Sequence, residues 1–352
     1  MKKNMKSSSI LLGGLFLLGA VCSCTQTAPD YASYVNPFIG TGGHGHTYPG
    51  AVVPNGMIQP APTRVSTSGM PAPDITMQIL LSTDFTYPRQ RYGLCRLRGC
   101  AADAHCRSAG LPLHGLEEPA DGVRLCLSHE NETAEPGYYS VFLDRYGVKA
   151  ELTSTKRAAI HRYTFPKAED AGFILDLDYS IQRQKNEQME LEVISDTEIR
   201  GRKKTVYWAF DQYINFYAKF SKPFTYTLVT DSMALDEGGP LLPTAKALLQ
   251  FQTEPNEEVL VKVGVSAVDM DGARKNVEAE ISGWDFDGVR RAARQQWNTY
   301  LSKIDIDTKD NDQRTMFYTA LYHTGMQPNL FTDVDGRYFG MDLKPHQAGW
   351  TS

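Results

Sequence analysis

The sequence predicts a mainly β protein, a β-sandwich that gives way to helices near its C-terminal end. Three observations carry this. From Leu125 to about Met270, short runs of alternating apolar and polar residues follow one another, separated by turn residues. The composition, with Gly 29, Pro 19 and Tyr 18, suits a turn-rich, strand-rich chain. After Met270 the apolar spacing changes from two to about 3.6 residues.

The first element is a targeting segment. MKKNMK is basic, and SSSILLGGLFLLGAVCSC is an apolar run too short for a committed transmembrane helix. VCSC, residues 21–24, looks like the box cleaved before a lipid-modified cysteine. Cys24 is the expected modified residue, because Ser23 is a better small residue at the cleavage point than Val21 before Cys22. An ordinary secretory signal is the alternative, and either reading exports the chain. Residues 1–24 are thus read as a lipoprotein signal, and TQTAPD as a polar tether to a periplasmic or surface membrane. The remaining residues, about 325, suffice for two domains. A net charge of -5 with both signs interspersed gives no reason to expect a nucleic-acid partner. The six cysteines (Cys22, Cys24, Cys95, Cys100, Cys106 and Cys126) form no persuasive disulfide framework or metal spacing.

NPFIGTGGHGHTYPGAVVPNGMIQP, residues 36–60, comes next. Gly, His, Tyr and Pro fill ten of its first seventeen positions, a composition that builds neither a helix nor a strand core. It is either a ligand surface or a tight structural corner. His44 and His46 can donate to hydroxyls, and Tyr48 can stack on a ring.

The strand region runs through YYSVFLDRYGVKAELTSTKRAAIHRYTF, AGFILDLDYS, LEVISDTEIRGRK, VYWAFDQYINFYAKFSKP, FTYTLVT and EVLVKVGVSAVDM. Strands at this spacing argue for a sandwich rather than alternating βα units. Then DGARKNVEAEI and FDGVRRAARQQWNTYLSKI read as helices, with Val289, Ala293 and Trp297 at helical spacing. DNDQRTMFYTALYHTGMQP reads as another, with Phe317, Leu321 and Tyr322 near one face. LFTDVDGRYFGMD is an acidic turn, and the chain stops at HQAGWTS, two helical segments into a new domain. Helices so few bury their apolar faces poorly alone, so a helical domain is expected to begin here and not finish. Packing of these helices on the sandwich as an appendage is the alternative.

Residues 70–107 fit none of this. Their second half crowds five arginines and three cysteines together, and no period of 2 or 3.6 holds. The genetic code offers an explanation. The codons permitted by Ser68 to Phe85, read from their third base, can give WDACSGYHYADSTIYGF. Those of Thr86 to Arg107 with the first base of Ser108, read from their second base, can give HIHVSGTGCADYADVLLMPTAG. Two adjoining sensible runs imply shifted frames across residues 68–108. An interval so altered is expected to leave sandwich edges without their strand partners and to lower soluble yield.

YVNPFIGTGGHGHTYPGAVVPNGMIQP closely resembles the opening signature of the glycoside hydrolase family 92 mannosidases. LSHENETAEPGYYSVFL and TDVDGRYFGMD resemble two further landmarks of that family, and the recovered WDACSGYHYADSTIYGFTHIHVSGTG is similar to its next block. The resemblance runs from about Tyr31 to about Gln347, apart from the altered interval. It implies an exo-acting, inverting, calcium-dependent α-mannosidase that removes terminal α-mannose from N-glycans or mannans. It also implies an N-terminal β-sandwich (30–278, with 68–108 aberrant), a helical linker (279–310) and the beginning of a truncated (α/α)6 barrel (311–352). In that family the catalytic Glu acid, the Asp base and most of the calcium site belong to the barrel. By this pattern neither carboxylate is expected within these 352 residues, and the chain as given is expected to be inactive. Rival readings are a lipid-anchored carbohydrate-binding module without catalysis and a purely structural sandwich lipoprotein.

No acidic pair carries a catalytic context. Glu117 and Glu118 are adjacent, and Asp333 and Asp335 lie two apart in a DVDG turn that lacks the spacing and the bidentate Glu of a calcium loop. That turn reads as solvated. HENE, residues 129–132, reads as a hydrogen-bonded strand start, and Trp208 and Trp284 as packing residues. The resemblance places sugar contacts at Gly43 and His44, and also at His46 and at Arg64, whose guanidinium is a fixed fork for hydroxyls. Arg64 follows PAPT where the family has Asp-Thr-Arg, so the acidic neighbour is absent.

Overall fold

The computed structural model describes residues 29–42, 45, 47–64, 75–81, 92–100, 129–144, 146–177, 185–206, 211–229, 232–234, 241–243 and 245–349. The chain divides into two units, 1–30 and 31–352, and the architecture below is that of the second. Cys24 and the targeting segment lie outside the described residues.

Eighteen strands and three α-helices are formed by the described residues. The strands are β1 (Ile58–Arg64), β2 (Ile75–Leu81), β3 (Tyr92–Cys100), β4 (Glu132–Glu135), β5 (Tyr138–Leu143), β6 (Val148–Ser154), β7 (Ala158–Phe165), β8 (Ala168–Asp176) and β9 (Lys185–Val193). They continue with β10 (Glu198–Val206), β11 (Gln212–Phe220), β12 (Thr225–Val229), β13 (Ser232–Ala234), β14 (Leu241–Pro243), β15 (Lys246–Thr253), β16 (Glu257–Ser266), β17 (Arg337–Phe339) and β18 (Pro345–Gln347). The helices are α1 (Met270–Glu280), α2 (Phe286–Leu301) and α3 (Asn311–Thr324).

Two antiparallel sheets make the sandwich, one ordered β1-β2-β3-β8-β15-β12 and the other β4-β5-β6-β7-β16-β11-β10-β9. Alternation decides which side chains enter. Along β15 every second residue is buried, and Ala247, Leu249 and Phe251 meet Phe173 and Leu175 of β8 in the core. Tyr163 of the larger sheet stacks edge-on against Phe173 of the smaller at 4.7 Å, and Phe173 lies 5.8 Å from Phe220. These rings tie the two sheets together.

Residues 70–107, which fit no strand period in sequence, supply two strands. β2 pairs with β1 from Ile58↔Leu81 to Arg64↔Ile75, and β3 bridges β2 to β8 through Arg98↔Ile174 and Cys100↔Gly172. The expectation of unpartnered edges is therefore corrected for these segments. Ladder bonds are made by backbone groups that every residue except proline carries, so pairing survives a loss of side-chain periodicity.

All three helices start at an aspartate. Asp269, Asp285 and Asp310 accept hydrogen bonds from backbone N–H groups of the first turn, at 2.6 Å from Gly272, 2.8 Å from Gly288 and 2.9 Å from Asp312. Each helix carries a further acid in that turn, which suits the positive end of its dipole. α1 covers the outer face of β16 and β11, where Ala273, Val277 and Ile281 pack with Ile160 and Tyr217. α2 lies over β5 to β7, with the Arg290 guanidinium 3.5 Å above the Tyr138 ring. Trp284, between α1 and α2, is half-buried beneath the Lys262 ammonium at 4.4 Å, a packing role as expected. Trp208 lies outside the described residues.

Candidate functional site: the glycine-histidine loop and its fastenings

The Gly-His loop is a return of the chain whose two arms are both fixed to the helices. On the first arm, a 3-10 turn at Tyr31–Tyr34 precedes the loop. The Ala32 N–H donates to Asn298 Oδ1 of α2 at 2.8 Å, and the Asn36 N–H donates to Thr319 Oγ1 of α3 at 2.9 Å. The Tyr31 and Tyr34 rings pack on Tyr318 at 5.4 and 5.3 Å.

On the second arm, the Trp297 indole donates to the Val52 carbonyl at 2.6 Å inside a cluster that also holds Tyr48, Ala61, Tyr322 and Met326. Asn55, Gly56 and the 325–330 segment exchange further bonds, among them Asn55 N–H to Gly325 O at 2.7 Å and Asn329 Nδ2 to Gly56 O at 2.6 Å. The sandwich holds the same arm from behind. Ser154 Oγ donates to Ala51 O at 2.8 Å, and the Met57 N–H to Lys156 O at 2.6 Å.

Between the arms the chain doubles back. Thr47 N–H donates to Gly40 O at 3.2 Å. Gly40 has φ of +84°, and a Cβ on Gly45 would lie 2.0 Å from Gly40 O. These two glycines are required by the corner itself. Of the expected contact residues, Gly43, His44 and His46 lie outside the described residues, within this return. Arg64 ends β1, its backbone paired with Ile75, and its side chain is not described.

Tyr48 differs from expectation. It is buried, and its hydroxyl donates to Gln59 Oε1, whose amide nitrogen in turn donates to Met326 O at 3.4 Å. Its ring belongs to the helix-facing core and offers no face for stacking. An aromatic beside Gly and Pro could be read either way from sequence, and packing against α2 and α3 decides it.

The DVDG turn is also corrected. Asp333 is only 3 % exposed, not solvated. It accepts from Ser266 Oγ at 2.7 Å and from Asn276 Nδ2 at 2.8 Å, while Asn276 Oδ1 accepts the Val334 N–H at 2.8 Å. Burial pushes the Asp333 carboxyl up, against the lowering by those two donors. Burial also opposes ionisation of Asp335, but Lys275 and Arg337, each at 2.9 Å, hold it below the usual range. Arg337 also grips Asp269, the cap of α1. Both aspartates thus fasten the turn to α1. A guanidinium fills the space a cation would need, and among the described residues no three His, Cys, Asp or Glu side chains gather as a metal requires. The DVDG turn therefore does not fit calcium. At HENE, a 3-10 turn at His129–Asn131 leads into β4, a strand start as expected. Glu117 and Glu118 lie outside the described residues.

Sequence reasoning missed the fasteners Asn298, Thr319, Asn329 and Asn55. Nothing local marks them, since their partners stand 266 to 283 positions away.

Comparison with known proteins gives this loop a setting. The family model described as the glycosyl hydrolase family 92 N-terminal domain matches residues 34–75 and 106–266, and the family 92 catalytic-domain model matches 272–352. A family 92 alpha-mannosidase from Bacteroides thetaiotaomicron is 32% identical, with a TM-score of 0.78 over 91% of this chain and 44% of its own. An inverting mannosidase from Bacteroides thetaiotaomicron VPI-5482, at 23% identity, shares the fold with a TM-score of 0.71 over 90% of this chain and 43% of its own. An uncharacterized secreted glycosidase of Arthroderma benhamiae is 26% identical over 392 residues, covering 96% of this chain and 48% of that protein. The chain spans a little under half the length of these relatives. No helix among the described residues is long and apolar enough to cross a membrane. With the N-terminal match over most of the sandwich and the catalytic-domain match taking up at α1, the chain belongs to glycosyl hydrolase family 92.

Proposed function

We propose that this polypeptide is the sandwich, linker and opening catalytic-domain portion of an exported, inverting, exo-acting α-mannosidase acting on terminal α-mannose of N-glycans or mannans. Its own contribution is a wall of the sugar site made by Gly43, His44, His46 and Arg64. The observation that carries this is the fastening of both loop arms to α2 and α3, inside the catalytic-domain match. Arms so held support a loop at the junction of the two domains, where family enzymes are expected to bind sugar. Histidine N–H groups, the Arg64 fork and glycine backbone close to the ligand would orient mannose hydroxyls.

Inverting hydrolysis needs an acid and a base roughly 6.5–9.5 Å apart with water between base and anomeric carbon. Asp333 and Asp335 are committed to Ser266, Asn276, Lys275 and Arg337, so we assign them no chemistry. Acid, base and calcium are assigned to the part of the family architecture beyond these residues, and the chain alone is expected to bind mannoside weakly without cleaving it. Cys24 is assigned as its lipid anchor. The interval 68–108 is assigned to shifted reading frames, a reading supported by the lapse of the family match between 75 and 106. A fresh DNA read of codons 60–115 that offers no alternative frame would end that last assignment.

The test is titration of the chain with methyl α-mannoside, beside His44→Ala and Arg64→Ala, with mannose release assayed in parallel. Weak binding that both substitutions abolish, without release, is expected. Equal response to methyl α-glucoside, or binding untouched by either substitution, would remove the reading.

A further inference from the structure

Asn55 has φ of +57°, in the left-handed region that asparagine tolerates better than most residues. Three of its groups meet the segment that follows α3. Its N–H donates to Gly325 O at 2.7 Å, its Nδ2 donates to Pro328 O at 2.6 Å, and its carbonyl accepts from the Leu330 N–H at 2.9 Å. Asn329 answers with its own amide, donating to Gly56 O at 2.6 Å and to Met326 O at 3.0 Å. A non-glycine residue held in this conformation and bonded on three sides to one distant segment points to a constraint on the backbone rather than to chance.

The constraint is passed on. From Asn55 back to Tyr48 the chain is buried apart from the half-buried Pro54 and Asn55, and is bonded along its length. Gly56 N–H donates to Val53 O at 3.0 Å, Val52 carries the Trp297 bond, and Ala51 N–H donates to Pro60 O at 2.9 Å while its carbonyl accepts from Ser154. Tyr48 is pinned through Gln59 to Met326, again on the segment after α3. A shift of residues 325–330 is therefore passed through bonded main chain as far back as Tyr48.

We propose that Asn55 is a positioning residue, whose carboxamide holds the second arm of the Gly-His loop, residues 48–57, in register with the 325–330 segment. The loop's role in sugar contact rests on the reading given under the proposed function; the register itself does not.

Two substitutions separate the backbone from the side chain. Asn55→Gly keeps the left-handed φ and all main-chain bonds and loses only the Nδ2 donor. Asn55→Asp keeps the shape but sets a carboxylate oxygen against the Pro328 carbonyl. The experiment compares both with the unaltered full chain by amide hydrogen exchange and by methyl α-mannoside titration. Exchange at residues 47–58 is expected to rise about tenfold or more in Asn55→Asp and only about twofold to threefold in Asn55→Gly, with β10 and β15 unchanged. The mannoside Kd should rise in the same order. Unchanged loop exchange in Asn55→Asp overturns the proposal. So does equal acceleration by both substitutions, or a rise spread evenly over β10 and β15. If Asn55→Asp does not fold, Asn55→Gly still decides, since no loop-confined change there overturns it. If the unaltered chain binds no mannoside while the exchange order holds, the register role stands and the sugar-site reading falls.

Discussion

The indole N–H of Trp297 meets the main-chain oxygen of Val52 at 2.6 Å across 245 positions of sequence, and neither residue is exposed. One belongs to the second helix and the other to the return arm of the Gly-His loop. Phenylalanine at 297 keeps most of the apolar ring and leaves the Val52 carbonyl buried without its donor. The expected cost is about 2 kcal/mol or more, from the orphaned acceptor and the smaller ring together. Urea unfolding of Trp297→Phe at neutral pH checks it, and a loss under about 0.5 kcal/mol would mean the bond contributes little.

Gly137 turns between β4 and β5 with φ of +84°, and a Cβ there would stand 2.7 Å from the Ala293 Cβ on α2. Gly137→Ala therefore strains the backbone and pushes the helix off the sheet, at about 1–3 kcal/mol. Adding Ala293→Gly removes the 2.7 Å contact but leaves the φ penalty and costs about 1 kcal/mol as a glycine within α2. The double variant should therefore lose less stability than the two single variants together. Strictly additive losses would show that the helix contact is irrelevant.

His161 sits on β7 in the sandwich core, its Nδ1 3.0 Å from the Tyr163 hydroxyl and its Nε2 without a partner among the described residues. Burial lowers its pKa from 6.5 to about 3. The folded state thus binds fewer protons than the unfolded one between those values. Stability from this group is complete above about 6.5 and falls as the pH drops toward 3, by about 1.4 kcal/mol per pH unit. His161→Gln costs stability at pH 7.5 but does not titrate, so the gap between the two proteins should narrow between pH 6.5 and 4.5. Parallel pH curves from chemical denaturation would count against a buried neutral imidazole.

Asp333 and Asp335 are two residues apart and predicted to behave differently. Asp333→Ala leaves the Ser266 hydroxyl and the Asn276 amide without a shared acceptor in a buried site, costing about 2–3 kcal/mol. Asp335→Ala removes pairs to Lys275 and Arg337 at a part-exposed position and should cost no more than about 1 kcal/mol. Thermal melts of the two variants rank them, and equal losses would mean that the turn is held by charge rather than by burial.

Much of the architecture was legible. β15 with its alternating burial, and β5 to β7 with their short runs between turns, were readable from period alone. The three helices begin at residues 270, 286 and 311, each just after a capping aspartate (Asp269, Asp285 and Asp310) and with apolar residues at helical spacing. The site was less legible. Tyr48 reads equally well as a stacking platform or a core ring, and a DVDG turn usually faces water. Tyr48 is buried by α2 and α3, some 240 or more residues along the chain, and Asp333 by Ser266 and Asn276, 67 and 57 positions away.

By itself the sequence determined the elements, their caps and the glycine-rich corner, because period, side-chain shape and backbone freedom act within a few residues. It also carried the motifs that place the chain in its family. Only the tertiary structure decided that Tyr48 turns inward, that Asp333 is a buried tie, that backbone ladders draw β2 and β3 into the smaller sheet, and that Asn55 joins the loop to the segment after α3. Those outcomes depend on hydrogen bonds and packing between residues up to 283 positions apart, whose pairing is set by the geometry of the folded chain and leaves no local mark.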